Sequence, residues 1–212
     1  MRYNSKEESQ IDHTKNYRSD GVKKGKGTIY SADYLRVMYI IESVPKNCYV
    51  LDVGCNSGAI SIPLQKIGNY VKAIDLVPEL VSQAQKNGIK AEVGEAEDLS
   101  RFENNTFDCV ICSEVLEHLY DPLVAIKEAY RVLKPGGKYI VTVPYPDGEM
   151  SKNKLGDFHQ QNFSLEIIDT LFHNVFERGK VIIDYIPYIQ EYCYANNIKI
   201  NDPQWIGLVA IK

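Results

Sequence analysis

Apolar positions along this chain fall into two alternating patterns. Short, nearly continuous apolar runs occur at Tyr49–Val53, Tyr70–Leu76, Ile89–Val93, Phe107–Cys112 and Lys138–Pro144. Runs of this length, bounded by turn residues, read as buried parallel strands. Between them the spacing is helical. Ala59–Lys66 has mostly helical composition, with Pro63 arguing for a kink or a late start. Pro78 and Glu79 open a second helix with Leu80, Val81 and Ala84 on its apolar face, and Asn87-Gly88 ends it. Asp121-Pro122 opens a third, with Leu123, Ile126, Tyr130 and Leu133 at helical spacing and Lys134-Pro135-Gly136-Gly137 as its stop. Ahead of the first strand, Ser31 or Asp33 caps a helix that runs through about Ser43 and buries Tyr34, Val37, Met38 and Ile41. Leu165–Phe172 reads as a late helix, and Val181–Ile186 and Trp205–Ile211 as the last two strands.

Strands alternating with helices imply an α/β fold. The expected form is a three-layer, doubly wound, mostly parallel seven-stranded sheet with helices on both faces and an antiparallel last strand. Residues 1–45 are expected to form an N-terminal arm and helix, and residues 46–212 a Rossmann-like domain with a substrate-side insertion at about 186–204. The arm, residues 1–28, is rich in Lys, Ser, Asn, Gly and Asp. It reads either as a flexible segment or as a lid over substrate.

Composition narrows the partners. The chain has 212 residues, 44% hydrophobic and 25% charged, with a formal net charge of −4. That charge supplies no global field for nucleic acid or an anionic membrane. Met1–Gln10 is polar and unlike a secretory signal, and no apolar run approaches the roughly 20 residues that span a bilayer. A cytoplasmic location is expected, and the oligomeric state is left open. The five cysteines are scattered, and Cys109 and Cys112 form a C-x-x-C inside a strand pattern. Residues three apart in a strand face opposite ways, so these read as buried thiols rather than a metal pair.

The chemistry begins where the first strand ends, at Asp52-Val53-Gly54-Cys55-Asn56-Ser57-Gly58. Glycines there let the backbone turn sharply and let a ligand come close, and a helix starting at the turn would aim unpaired N–H groups at it. A dinucleotide fingerprint requires G-x-G-x-x-G, but Asn56 stands at the second glycine. Asp52 is also awkward beside a diphosphate and suits a cationic ammonium group. Asp75 lies 21 residues after Gly54, at the end of the second strand, where a carboxylate can accept ribose hydroxyls.

Taken together, five pieces resemble the class I S-adenosylmethionine-dependent methyltransferases over most of residues 48–144. They are Leu51–Gly58, Ile74-Asp75-Leu76, Gly94–Leu99, Phe107–His118 and Leu133–Gly137. The resemblance implies S-adenosyl-L-methionine as cofactor and S-adenosyl-L-homocysteine as product. Gly54, with Cys55, Asn56 and Gly58, would meet the methionine end, with Asp52 nearby or acting only within the turn. Asp75 would clamp the ribose and Leu76 pack on adenine. Glu95 or Glu97 and the Ala96 backbone would read the adenine edge, unless the two glutamates are simply a solvated loop. Ser113 would lie under the sulfonium.

Glu114-Val115-Leu116-Glu117-His118 follows the fourth strand. If helical, Glu114, Glu117 and His118 share a face. The stretch resembles the metal motif of small-RNA 3′-end 2′-O-methyltransferases and of ubiquinone-pathway O-methyltransferases. A divalent metal held there is one reading, though not the expected one; metal-free contact with substrate and a purely structural role are the others. His118, Glu117 and His159 are the catalytic candidates. Aromatic residues in the regions flanking the site, Tyr30, Tyr34, Tyr39, Tyr145, Phe158, Tyr188, Tyr192 and Tyr194, suit a small or medium organic acceptor or serve as packing. The resemblance therefore implies a methyltransferase acting on a small-molecule acceptor, with O-methylation favoured. The alternatives are an RNA 3′-terminal 2′-O-methyltransferase and a non-catalytic domain that binds the cofactor as a sensor.

Overall fold

The computed structural model describes residues 34–146, 161–187 and 203–212. In chain order the elements are α1 (Tyr34–Ser43), β1 (Tyr49–Val53), α2 (Ser61–Lys66), β2 (Tyr70–Asp75), α3 (Pro78–Lys86), β3 (Lys90–Val93) and β4 (Phe107–Ser113). A 3-10 turn at Leu116–His118 leads to α4 (Pro122–Val132), β5 (Leu133–Pro144), α5 (Leu165–His173), β6 (Val181–Pro187) and β7 (Pro203–Ile211). The expected residues 1–28 arm falls outside the described residues, and the insertion expected at about 186–204 falls largely outside them.

The seven strands form one sheet in the order β3-β2-β1-β4-β5-β7-β6. β1 to β5 pair in parallel, and β7 runs antiparallel to both β5 and β6. Chain order reverses between β1 and β4, the crevice where ligands of such sheets bind. The sheet buries both faces, as its continuous apolar strands require. Leu51, Val53, Val110, Cys112 and Val141 face α4 and α5, where Ile126, Ala129, Ile168 and Phe172 close the larger core. Val50, Val71, Cys109, Ile111 and Ile140 face the other way, against Ile40 and Val44 from α1 and Leu64 from α2. Cys109 and Cys112 thus lie in different cores, both as free thiols.

Two boundaries and one helix face differ from the sequence reading. The helix expected at Ala59–Lys66 starts only at Ser61, since Pro63 fits the first turn and residues 54–60 are spent on turning. Strand β5 begins at Leu133, directly after α4, and a register shift between Phe107 and Cys109 accommodates the Pro135-Gly136-Gly137 stretch. In α1 the buried residues are Val37 and Ile40, while Tyr34 is 47% exposed, so the helix is rotated from the expected Tyr34, Val37, Met38, Ile41 face. The rotation turns Arg36 toward Ser113 and Tyr39 toward Asp184.

The β3–β4 connection carries no α-helix. Arg131 from α4 holds it instead, donating to the carbonyls of Leu99 and Phe102 and to Glu128, while Glu128 accepts from Leu99 N–H.

Candidate active site

β1 and β4 end side by side, so the turn after Val53 and the segment after Ser113 meet above the sheet. The amides of Gly54 and Cys55 both donate to the Ile74 carbonyl, at 2.8 and 3.0 Å, which anchors the turn to β2. Gly54 has φ +78°, and a Cβ there would run into the Val115 side chain. Only glycine meets both conditions. Asn56 also adopts a left-handed backbone, with φ 50°, a conformation Asn tolerates better than most residues. Its side-chain oxygen accepts from Ser57 N–H at 2.6 Å, and its own N–H donates to Asp75 Oδ2 at 2.8 Å. The glycine replacement noted in the sequence is therefore a built feature of the turn.

Asp75 joins turn to helix. Its second oxygen, Oδ1, accepts from Val77 N–H at 2.9 Å at the start of α3. Burial raises its pKa, against the two backbone N–H donors. Each carboxylate oxygen keeps acceptor capacity beyond the bond it makes. Leu76, next to it, is half-buried. Asp52 lies beneath the turn, 1% exposed, and accepts from Ser61 Oγ at 2.5 Å. Burial pushes its pKa up to about 6, and the charge of Asp75 adds to the shift while the Ser61 bond opposes it. Cys55 is buried beside both acids, and its thiol is driven up by burial and then by their charge.

The helix-dipole expectation needs correction. Ser61 lies three residues past Gly58, and α2 has six residues. Its amino end does not coincide with the glycine turn, which relies on individually placed backbone groups.

At the end of β4 a polar ring closes around Glu114. Arg36 Nη1 donates to Ser113 Oγ, which shares a 2.8 Å hydrogen bond with Thr142 Oγ1. Thr142 Oγ1 donates to Glu114 Oε1 at 3.1 Å, and Trp205 Nε1 donates to Glu114 Oε2 at 3.0 Å. The Arg36 guanidinium lies 5.8 Å from the Trp205 ring centroid. Arg36, Thr142 and Trp205 were missed by sequence reasoning. Arg36 carried one signal, as the single cation of α1; the other two carried none, because only the strand register brings them together.

The Glu114–His118 stretch is not one helix. Glu114 has φ 57°, and only Leu116–His118 forms a 3-10 turn, so Glu114 does not share a helical face with Glu117 and His118. Its carboxylate turns toward Trp205 and Thr142. His118 Nε2 approaches Glu117 Oε1 at 3.7 Å. Glu117 is 1% exposed, and its Oε2 has no hydrogen-bond partner. Burial, then the charge of Glu114, raises its pKa well above the usual range. Among the described residues, no three His, Cys, Asp or Glu side chains gather as a metal-binding group. The Glu114, Glu117 and His118 donor set does not fit a metal in this arrangement. His159 lies outside the described residues.

On the adenine side, Gly94 N–H donates to the Asp75 carbonyl at 3.0 Å, bringing Glu95, Ala96 and Glu97 up to β2. Glu95 bridges to Asp98, Ala96 packs on the larger core, and Glu97 Oε1 accepts from Asp121 N–H at 3.1 Å. Glu97 thus helps anchor the start of α4. A separate groove of about 600 Å³, lined by Tyr49, Asn69, Tyr70, Lys72 and Lys90, lies at the opposite, amino-terminal ends of β1 to β3.

Residues 51–141 match the family described as a methyltransferase domain. The methyltransferase domain contains the glycine turn, Asp75, the Gly94–Leu99 loop and the β4 end, whereas Arg36 and Trp205 lie outside it. The chain is 42% identical over 99 residues to a ubiquinone biosynthesis O-methyltransferase of Xanthomonas oryzae pv. oryzae, covering 44% of this chain and 41% of that protein. A second protein of that name, from Xanthomonas axonopodis pv. citri, is 36% identical over 131 residues, 58% of this chain and 54% of its own. The chain thus spans about half the length of the curated relatives it matches. Among solved structures, a methyltransferase from Archaeoglobus fulgidus superposes with a TM-score of 0.71 at 17% identity, covering 93% of this chain and 99% of that one. The [4+2]-cyclase SpnF superposes at 0.70 with 15% identity and 96% of both chains. Likeness at that level carries the fold and no particular reaction.

Proposed function

We propose that this chain transfers a methyl group from S-adenosyl-L-methionine to an oxygen of a small or medium organic acceptor. The observation that carries the reading is the meeting of Arg36 and Ser113 at the end of β4, beside a glycine turn tied to Asp75. The Arg36 guanidinium offers a cation for the cofactor's carboxylate, and Asp75 offers acceptors for ribose hydroxyls. Asp52 sits below the turn as a latent negative charge for the ammonium group. When bound, the cofactor supplies a methyl group on a cationic sulfur, so the protein's task is chiefly alignment and exclusion of water.

Oxygen acceptors lose a proton on methylation, and a positioned base raises the rate. His118, paired with a Glu117 carboxyl that burial holds toward its neutral form, is the group we assign to that proton. The similarity to ubiquinone biosynthesis O-methyltransferases supports oxygen as the acceptor atom. The formal net charge of −4 supports an acceptor other than nucleic acid.

The test is turnover with labelled S-adenosylmethionine and a panel of phenols, carboxylates and amines, read by mass spectrometry. Methylated oxygen products, with kcat falling about 100-fold or more in His118→Asn at unchanged cofactor affinity, are expected from the scale of general-base effects. Methylation confined to nitrogen or carbon would overturn the O-methyltransferase reading. Cofactor binding without turnover on any acceptor would favour a sensor. Turnover retained in the presence of chelator is expected as well.

A further inference from the structure

Four residues lie in one cross-strand row: Ser113 on β4 faces Thr142 on β5, Thr142 faces Gly207 on β7, and Gly207 faces Asp184 on β6. Residues paired in register point to the same side of a sheet. Helix α1 lies along this side and touches the row at both ends. Arg36 reaches Ser113 at one end. Tyr39, three residues later and so on a neighbouring helical position, donates from its hydroxyl to Asp184 Oδ2 at 3.3 Å at the other end.

The middle of the row is open for a reason. A Cβ on Gly207 would come within 2.7 Å of Tyr39 Cε1 and Cζ and 2.8 Å of Ile186 Cδ1. Gly207 has no positive φ to explain it, so the missing side chain serves the tyrosine ring resting there. Burial raises the Tyr39 pKa, and the Asp184 charge and hydrogen bond raise it further, so the hydroxyl stays a donor. Behind it the helix end is tied down, with Ser43 Oγ donating to the Tyr39 carbonyl at 2.7 Å and Lys138 Nζ to the Ser43 carbonyl at 3.1 Å.

We propose that Tyr39, seated on Gly207 and bonded to Asp184, is a positioning residue that sets where Arg36 stands over Ser113, and so sets cofactor affinity from the far edge of the sheet. The inference rests on the assignment of Arg36 to the cofactor's carboxylate. Tyr39 itself touches no reacting group. Its effect is confined to the register of α1 against the row, and a small misplacement of a guanidinium clamp is costly.

The experiment measures S-adenosylmethionine affinity by calorimetry, together with cofactor KM and kcat, in Tyr39→Phe, Gly207→Ala and Arg36→Gln, alone and combined. Expected is a loss of roughly tenfold in cofactor affinity for Gly207→Ala and a smaller loss for Tyr39→Phe, seen in KM more than in kcat. In the Arg36→Gln background, adding Tyr39→Phe is expected to change affinity no further, because the route to the cofactor is already cut. A Tyr39→Phe protein with lowered melting temperature but unchanged affinity would reduce the contact to a structural one and overturn the proposal. Tyr39→Phe keeps the ring on Gly207, so it decides the matter even if Gly207→Ala fails to fold. Equal losses from Tyr39→Phe with and without Arg36 would also overturn it. Unchanged affinity in Arg36→Gln would instead remove the assignment of Arg36 to the cofactor, and the positioning role with it.

Discussion

Replacing Asp52 by Asn should make the protein more stable at neutral pH. Asp52 is 1% exposed, and burial, aided by Asp75, raises its pKa from 3.8 to about 6. A carboxyl whose folded pKa exceeds its unfolded value binds its proton more tightly when folded. Its favourable contribution is complete below about pH 4 and is lost as pH rises through the folded pKa near 6. A shift of about two units corresponds to about 3 kcal/mol, at roughly 1.4 kcal/mol per unit. Asn carries no charge and keeps an oxygen for the Ser61 hydroxyl, so the variant escapes this loss, less the cost of housing its amide N–H groups. At pH 8 the expected gain is about 1–3 kcal/mol, or about 2–10 °C in melting temperature for a domain of this size. At pH 4 the advantage should vanish. Urea unfolding of wild type and variant between pH 4 and 8 measures both. Parallel pH curves, or a variant less stable at pH 8, would show that the protein stabilises ionised Asp52 and refute the reasoning.

Three further outcomes follow from the same contacts. Asp75→Ala should weaken S-adenosylmethionine by ~1–3 kcal/mol, the scale of a lost charged hydrogen bond, and calorimetry with unchanged affinity would remove Asp75 from the site. Gly54→Ala should destabilise the fold by about 2–4 kcal/mol through left-handed backbone and collision with Val115; a denaturation midpoint equal to wild type would contradict that. Trp205→Phe should cost ~1–3 kcal/mol by removing the Nε1 donor from the Glu114 carboxylate, and Glu114→Gln in that background should recover part of the loss in chemical denaturation.

Motifs made of consecutive residues were legible in the sequence, and contacts between distant strands were not. The turn at Gly54–Gly58, the acidic end of β2 and the helix start at Asp121-Pro122 each occupy one short stretch, and each appears where the residues indicated. The class of fold followed from the alternation of apolar runs and helical spacing. The α1 face differs from the expected one because Tyr34, an aromatic at helical spacing, lies exposed while Ile40 is buried. The sheet supplies partners for an inward Arg36 that no local pattern announces. Ala125 and Ala129 of α4 are buried without a strong hydrophobic signal, while Leu133, counted on that helix, belongs to β5. The Glu114–His118 stretch was legible as chemistry but not as geometry. The left-handed backbone at Glu114 depends on partners 28 and 91 residues away, Thr142 and Trp205, and sequence spacing carries no record of them.

In the proposed function, the turn between β1 and α2 and the end of β4 hold S-adenosylmethionine. Titration calorimetry of the chain with S-adenosylmethionine, S-adenosylhomocysteine and NAD tests it most directly. Saturable one-to-one binding of S-adenosylmethionine is expected, displaced by S-adenosylhomocysteine and weakened in Arg36→Gln. Tight binding of NAD with no binding of S-adenosylmethionine would contradict it.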